Sequence, residues 1–316
     1  MESPVFFLLS GFILLGLSGE ALLRGAVTTA VAFRVPPLII GLTIIALGTS
    51  APEFTVSVQA ALIDQADIAV GNVIGSNIAN ILLVMGTMAL IQPFTTSGVN
   101  LKRDGAVMLI VSGVLVGLAY VGVITAFLGV GLLAALVVYL FVLYRGAQNP
   151  QTVSSDAADE VSEQALSGGL WLGVPVLVAG LFGIIWGADL MVTGAVALAR
   201  DFGISEAVIA LSIVAIGTSL PELAVSVVAS LRGQAGLAVG NIIGSNISNI
   251  LLILGGTALL APLPIADVLA HRDVWVMFAV AVLGIYFMAS KRAMSRAEGG
   301  LAIALYAGYI AFLYGV

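Results

Sequence analysis

The sequence contains no cysteine and only one histidine, His271, among its 316 residues. Without cysteine the chain forms no disulfide and no thiolate metal site. The histidine lies at the edge of a loop, and neither a nucleophile–base pair nor a nucleotide-binding loop is visible in the sequence. We therefore predict that the chain is not an enzyme and uses no cofactor.

Charged residues are also scarce. They make up 9% of the chain, whereas hydrophobic residues make up 60% and the mean hydropathy is +1.17. Soluble domains carry about 25% charged residues, so this composition predicts a polytopic membrane protein with lipid as its surroundings. The net charge of −6 gives no reason to expect a nucleic-acid partner.

Long apolar runs are abundant, and runs of about 20 residues are long enough to span a bilayer as helices. The first run has no obvious cleavage site, so we interpret it as a retained helix and not as a signal peptide. The fold class predicted is an all-α polytopic membrane protein with ten transmembrane helices, near residues 4–24, 36–62, 66–90, 103–122, 124–144, 169–199, 206–231, 235–260, 271–290 and 298–315.

One segment occurs twice. Residues 41–94 and 210–263 are identical at 32 of 54 positions without a gap, which indicates an internal duplication. The same register extends over the chain and predicts two five-helix repeats, residues 1–147 and 170–316, joined by a polar linker at 148–169. Because five is odd, the second repeat should enter the membrane inverted, with a binding site near the midplane.

Positive charges give the orientation, since cytoplasmic loops are enriched in Lys and Arg. With the N-terminus outside, nine basic residues fall in inside loops and two, Arg200 and Arg272, in outside loops. We therefore predict a multi-pass protein of the cell membrane (plasma or inner membrane). Both termini should be extracellular or periplasmic, and the linker cytoplasmic.

Each copy places a glutamate, Glu53 or Glu222, within a strongly apolar segment. An intramembrane carboxylate is costly and marks a functional site by default. The alternative is a structural glutamate that is protonated or paired with a distant base. Matched settings in both copies favour function.

A proline precedes each glutamate, at Pro52 and Pro221. Proline has no N–H, and its ring clashes with the carbonyl four residues back, so the helix should open there. Opened backbone is tolerated at membrane depth where it lines a cavity. Thr49 and Ser50 add hydroxyls on the same helix face as Glu53. Carboxylate, carbonyl and hydroxyl oxygens suit a hard cation such as Ca²⁺ or Na⁺.

The second part of each motif follows about 20 residues later. Asn72, Ser76 and Asn80 are spaced by four and should form one polar stripe on a partner helix. Their oxygens could bind the same cation, as could those of the second copy. The alternative is packing, because amide and small residues also hold transmembrane helices together.

Two further acids, Glu20 and Asp189, lie near the ends of the first and sixth helices. Glu20 has Arg24 four residues later as a potential partner, whereas Asp189 has Thr193 there. They are either interfacial acids or residues that line the two cation access routes.

The doubled motif, G-T-S-x-P-E followed by G-N-x-I-G-S-N-I, resembles the two alpha repeats of the Ca²⁺/cation antiporter superfamily, and most closely those of prokaryotic sodium/calcium exchangers. The resemblance covers nearly the whole chain. It implies exchange of Na⁺ for Ca²⁺ by alternating access, with the first and sixth helices as a sliding gate.

The resemblance also implies the ion sites. Glu53 and Glu222 would hold Ca²⁺ with help from Thr49 and Thr218, and Asn80 and Asn249 would face the centre. Each of two Na⁺ sites would use the oxygens of one copy of the motif. The first set is Ala46 (carbonyl), Thr49, Ser50, Glu53 and Ser76, and the second is Ala215 (carbonyl), Thr218, Ser219, Glu222 and Ser245.

One position departs from the family pattern, since some sodium/calcium exchangers have aspartate where this chain has Asn249. The pocket then offers two formal charges, which leaves H⁺- or K⁺-coupled Ca²⁺/cation exchange by the same fold as an alternative. A cation channel is a further one. The 148–169 linker has no room for a regulatory domain, and we expect none.

Overall fold

The computed structural model describes residues 3–33, 35–96, 99–147, 165–202, 215–290 and 292–314. Within these ranges the chain is almost entirely helical. The helices are α1 (Pro4–Phe33), α2 (Leu38–Thr49), α3 (Ala51–Leu62), α4 (Ala66–Ile91), α5 (Leu101–Val121), α6 (Ala126–Ala147), α7 (Gly169–Asp201), α8 (Ala215–Thr218), α9 (Leu220–Leu231), α10 (Ala235–Leu260), α11 (Leu269–Ser290) and α12 (Arg296–Tyr314).

Seven of the described helices are long and apolar enough to cross a membrane, or eight if the bent pair α2–α3 is counted as one span. This agrees with a multi-pass membrane protein, while the count of ten remains a prediction. Part of the segment predicted at 206–231 lies outside the described residues.

Helix α1 is longer than predicted. We expected it to end at Arg24, but it continues to Phe33. Arg24 does not interrupt the helix because arginine is a good helix former, and its guanidinium pairs with Glu20, one turn earlier, at 2.8 Å. The residues that follow are compatible with a helix until the pair Pro36–Pro37, where the missing N–H groups favour a break.

Helices α2 and α3 meet at Ser50 with a bend of 41°. Ser50 has φ −80° and ψ 5°, outside the helical region, and Pro52 lies in the first turn of α3. The break therefore occurs where the proline was expected to open the helix. Ser219 has nearly the same backbone angles, φ −89° and ψ 2°, between α8 and α9.

Helices α1 and α7 pack closely along their length in opposite directions. Gly194 lies against Leu8, Gly11 against Gly187 and Gly25 against Leu177, so residue numbers rise on one helix as they fall on the other. A side chain at these glycines would collide with the facing backbone. Small residues thus permit the close approach of the two helices.

Helices α4 and α10 form the centre of the molecule. The most apolar window of α10 is 94% buried and that of α4 is 72% buried, against 28% for α1. Helix α10 packs against α2 in a parallel direction, since Gly240 contacts Leu38 and Gly244 contacts Leu42. The duplicated motif therefore lies in the core of the protein.

Two short antiparallel strand pairs connect the first half of the chain to the second. Strand β1 (Phe94–Thr95) pairs with β4 (Ala293–Met294), and β2 (Val123–Ile124) pairs with β3 (Leu263–Pro264). The 169-residue repeat relates β1 to β3 and, within one residue, β2 to β4. Each half therefore contributes the same kind of strand to the other.

Candidate functional site: a buried oxygen cluster

The two motif glutamates lie in the first turns of α3 and α9, directly after the breaks at Ser50 and Ser219. Glu53 is 1% exposed and Glu222 is 0% exposed. Among the described residues neither glutamate forms an ion pair, and the salt bridges join other groups. The structural alternative, pairing with a distant base, therefore finds no support in the described part of the chain.

The two copies of the motif converge on Glu222. Its Oε1 accepts from the hydroxyl of Ser50, in the first copy, at 3.3 Å and from Ser245, on α10, at 3.4 Å. Hydrogen bonds from hydroxyls to carboxylates are typically about 2.5–2.7 Å long. Both contacts of Oε1 are longer than this, and Oε2 has no partner among the described residues, so the carboxylate retains oxygen lone pairs for a cation.

Several buried polar atoms at the site have no hydrogen-bond partner within the described residues. Buried polar atoms are normally paired, so a cluster of unpaired ones requires an explanation, and most of these are oxygens of the kind that bind hard cations. They are Glu53 Oε2, Glu222 Oε2, Asn249 Oδ1, Ser219 Oγ and both side-chain atoms of Asn80.

Asn80 and Asn249 occupy matched positions in the two central helices. Each begins a stretch of wide π-helical turns, Asn80–Met85 in α4 and Asn249–Leu254 in α10. Such turns interrupt regular helices and occur frequently at functional sites. Both side chains are buried, at 1% and 0% exposure.

The remaining predicted ligands flank these groups. Thr49 is fully buried, and its hydroxyl donates to Asn241 Oδ1 at 3.3 Å and lies 3.4 Å from the carbonyl oxygen of Ala46. Ser76 and Ser245 are buried on α4 and α10. Thr218 is half-buried, and Ala215 begins α8, its side chain lying outside the described residues.

The stripe predicted on α4 divides into two parts. Asn72 Nδ2 donates to Ser57 Oγ at 3.0 Å and to the carbonyl oxygen of Glu53 at 3.1 Å, which joins α4 to α3. In the second copy Asn241 Nδ2 donates to Ser226 Oγ at 3.3 Å. These two asparagines hold helices together, as the packing alternative had it, whereas Asn80 is left unpaired.

Glu20 has two ion-pair partners. Its two oxygens accept from Arg24 and Arg232, each at 2.8 Å, and the three side chains are 25–55% exposed. The pairing with Arg24 was expected, but the pairing with Arg232, which lies in the second repeat, was not. Asp189 is exposed.

The chemistry of the cluster is that of a hard-cation site with few charges. Among the described residues no group of three or more His, Cys, Asp or Glu side chains lies together. A cation held here would rely on two carboxylates together with neutral hydroxyl, amide and carbonyl oxygens. Such mixed oxygen sets suit Ca²⁺ and, with fewer charges, Na⁺.

Comparison with known proteins agrees with this chemistry. The family model described as sodium/calcium exchanger protein matches residues 3–145 and 172–315. The chain is 38% identical to the putative antiporter CaxA of Alkalimonas amylolytica, with 99% of each chain covered. It is 33% identical to the sodium/calcium exchanger MaX1 of Methanosarcina acetivorans, with 97% of each covered.

Solved structures give the same result. The fold matches structures of the sodium-calcium exchanger NCX_Mj, for example one soaked without Na⁺ and Ca²⁺. The TM-score is 0.83 at 33% sequence identity, with 98% of each chain covered.

Proposed function

Because the chain belongs to the sodium/calcium exchanger protein family and is thus a membrane cation antiporter, not an enzyme, we propose that it exchanges Na⁺ for Ca²⁺ at the buried oxygen cluster. The observation that carries the proposal is the set of buried, unpaired carboxylate and amide oxygens contributed by both copies of the motif. Such atoms are costly to bury unless a partner, here a cation, binds them.

The two ions compete for overlapping oxygens. Ca²⁺ binds between Glu53 and Glu222, whose two charges balance its own, with Thr49 and Thr218 beside it. Na⁺ occupies the flanking sets predicted above, and Asn80 and Asn249 face the centre. Because one load excludes the other, the two fluxes are coupled.

The fold that carries this exchange is a pair of inverted five-helix repeats, residues 1–147 and 170–316, joined by the linker 148–169. Inversion makes the first helix of each repeat antiparallel to its counterpart, as α1 and α7 are. It also makes the second helix of the first repeat parallel to the third helix of the second, as α2 and α10 are. Both directions support the proposal.

Alternating access arises from sliding of α1 and α7 past the core. A ligand shifts an equilibrium between two states only through its different affinity for each. An empty pocket with two bare carboxylates resists passage of a hydrophobic gate, whereas a pocket neutralised by cations permits it. Both termini lie on the extracellular or periplasmic side of the membrane and the linker lies in the cytoplasm, as the positive charges indicate.

The test is uptake of ⁴⁵Ca²⁺ into proteoliposomes that contain the purified protein. An outward Na⁺ gradient should drive uptake, a matched K⁺ gradient should not, and Glu53→Gln should abolish it. Glu298→Gln, the same chemical change at the start of α12, serves as the control variant. Uptake that follows only a pH gradient, or that persists with K⁺ alone, would replace Na⁺ coupling with the H⁺- or K⁺-coupled alternative. Rapid flux without exchange would indicate a channel.

A further inference from the structure

Asn77 connects the two central helices through its side chain. It lies on α4, three residues before Asn80, and is 1% exposed. Its Oδ1 accepts a hydrogen bond of 3.0 Å from Nδ2 of Asn249, on α10. From the sequence, Asn77 is either a cation ligand or a packing residue, and its contact with Asn249 is a finding of the structure.

The amide of Asn77 is itself fixed at its other end. Its Nδ2 donates to the carbonyl oxygen of Asn246 at 3.3 Å and contacts Sδ of Met277 at 3.7 Å. An amide has one acceptor oxygen and one donor nitrogen. Because the side-chain nitrogen of Asn77 is bonded to the backbone carbonyl of Asn246, its side-chain oxygen faces Asn249.

This contact determines which end of Asn249 is free. With Nδ2 bound to Asn77, Asn249 Oδ1 remains as a buried acceptor without a partner among the described residues. Asn249 also lies four residues after Ser245, whose hydroxyl contacts Glu222 at 3.4 Å. A cation is bound by the oxygen of an amide and is repelled by its N–H groups. This orientation of Asn249 is therefore the one that can bind a cation.

The mirror position lacks this arrangement. Asn246, the counterpart of Asn77, donates from Nδ2 to the carbonyl oxygen of Ile242 in its own helix at 2.8 Å. Neither side-chain atom of Asn80 has a partner in the described ranges. Of the two central amides, one is therefore oriented by a neighbour and the other is not.

We propose that Asn77 is a positioning residue for cation binding, which holds the Asn249 oxygen toward the ion by accepting the Asn249 N–H. The inference rests on the function proposed above. It assigns to Asn77 an effect that passes entirely through Asn249, without contact between Asn77 and the ion.

The test is a double-mutant cycle of Asn77→Ala and Asn249→Ala. Direct Ca²⁺ binding to the purified protein and the K½ and maximal rate of ⁴⁵Ca²⁺ uptake are measured for each variant. Asn77→Ala should weaken Ca²⁺ binding about three- to tenfold, the effect of losing one neutral hydrogen bond, and should raise K½ while the maximal rate changes less. In the Asn249→Ala background the same change should have no further effect, since interacting residues are not additive.

Asn246→Ala is the matched control, because it removes the mirror-related amide and retains the backbone carbonyl that Asn77 uses. It should weaken Ca²⁺ binding less than Asn77→Ala does. Equal losses in both variants, additive losses in the cycle, or unchanged binding in Asn77→Ala would each overturn the inference. Glu53→Gln separates this failure from failure of the proposed site, since normal Ca²⁺ binding by that variant would refute the site itself.

Discussion

Replacing Glu222 with glutamine should change the preference of the pocket between divalent and monovalent ions. Glutamine has nearly the same shape, and its oxygen can still accept from Ser50 and Ser245, which contact Glu222 Oε1 at 3.3 and 3.4 Å. The variant therefore removes one charge and leaves the packing of the site unchanged. The pocket then carries one formal charge, from Glu53.

The magnitude follows from charge alone. Two unit charges about 4 Å apart interact by about 4 kcal/mol at an effective dielectric constant of about 20. Removing one carboxylate therefore costs a divalent ion about 8 kcal/mol and a monovalent ion about 4 kcal/mol. The difference of about 4 kcal/mol corresponds to a loss of Ca²⁺ over Na⁺ preference of about a thousandfold.

Competition binding measures this ratio directly. The K½ for ⁴⁵Ca²⁺ binding to purified protein is determined over a range of Na⁺ concentrations, for the native chain, Glu222→Gln and the control Glu298→Gln. We expect the control to match the native chain and Glu222→Gln to lose affinity for both ions, with the loss for Ca²⁺ about a thousandfold greater than the loss for Na⁺. A variant in which both affinities fall by the same factor would refute the charge argument, because it would indicate a general collapse of the pocket.

Two further predictions concern the helix pair α1–α7 and its surroundings. Gly25→Ala should destabilise the protein by about 1–3 kcal/mol, because a Cβ there would collide with the backbone of Leu177. Gly16→Ala should not destabilise it, because Gly16 has no neighbour within 4 Å. Thermal melting in detergent compares the two variants. Arg232→Ala removes one of two partners of a partly exposed Glu20, so it should lower stability by no more than about 1 kcal/mol; a larger loss in the same melting assay would show that this ion pair is a main constraint on α1.

Much of the fold could be predicted because its signals are local or repeated. The break before Glu53 follows from the chemistry of Pro52, and the structure places the bend at Ser50, within two residues of it. The burial of both glutamates follows from the apolar segments around them. The end of α1 was predicted too early because its length was taken from an apolar run of about 20 residues, whereas the helix continues to Phe33.

The roles of the individual asparagines could not be predicted in the same way. Duplication preserves a residue whether it binds an ion or joins two helices, so the repeated asparagines look alike in sequence. Only the contacts separate them: Asn72 bonds to Ser57 on a neighbouring helix, whereas Asn80 has no partner among the described residues. The contact between Asn77 and Asn249 joins residues 172 positions apart, and no local pattern reports such a pair.

The unequal contacts of the two copies bear on the alternating access proposed above. Glu222 accepts a hydrogen bond from Ser50 of the opposite copy, whereas Ser219, the counterpart of Ser50, has an unpaired hydroxyl in the described structure. Because the two copies are so alike in sequence, the exchanged arrangement, with Ser219 donating to Glu53, would form chemically equivalent contacts. The two arrangements should therefore differ little in energy, so that ion binding can shift the population between them. Alternating access requires a balance of this kind, and we expect the duplication of the motif to provide it.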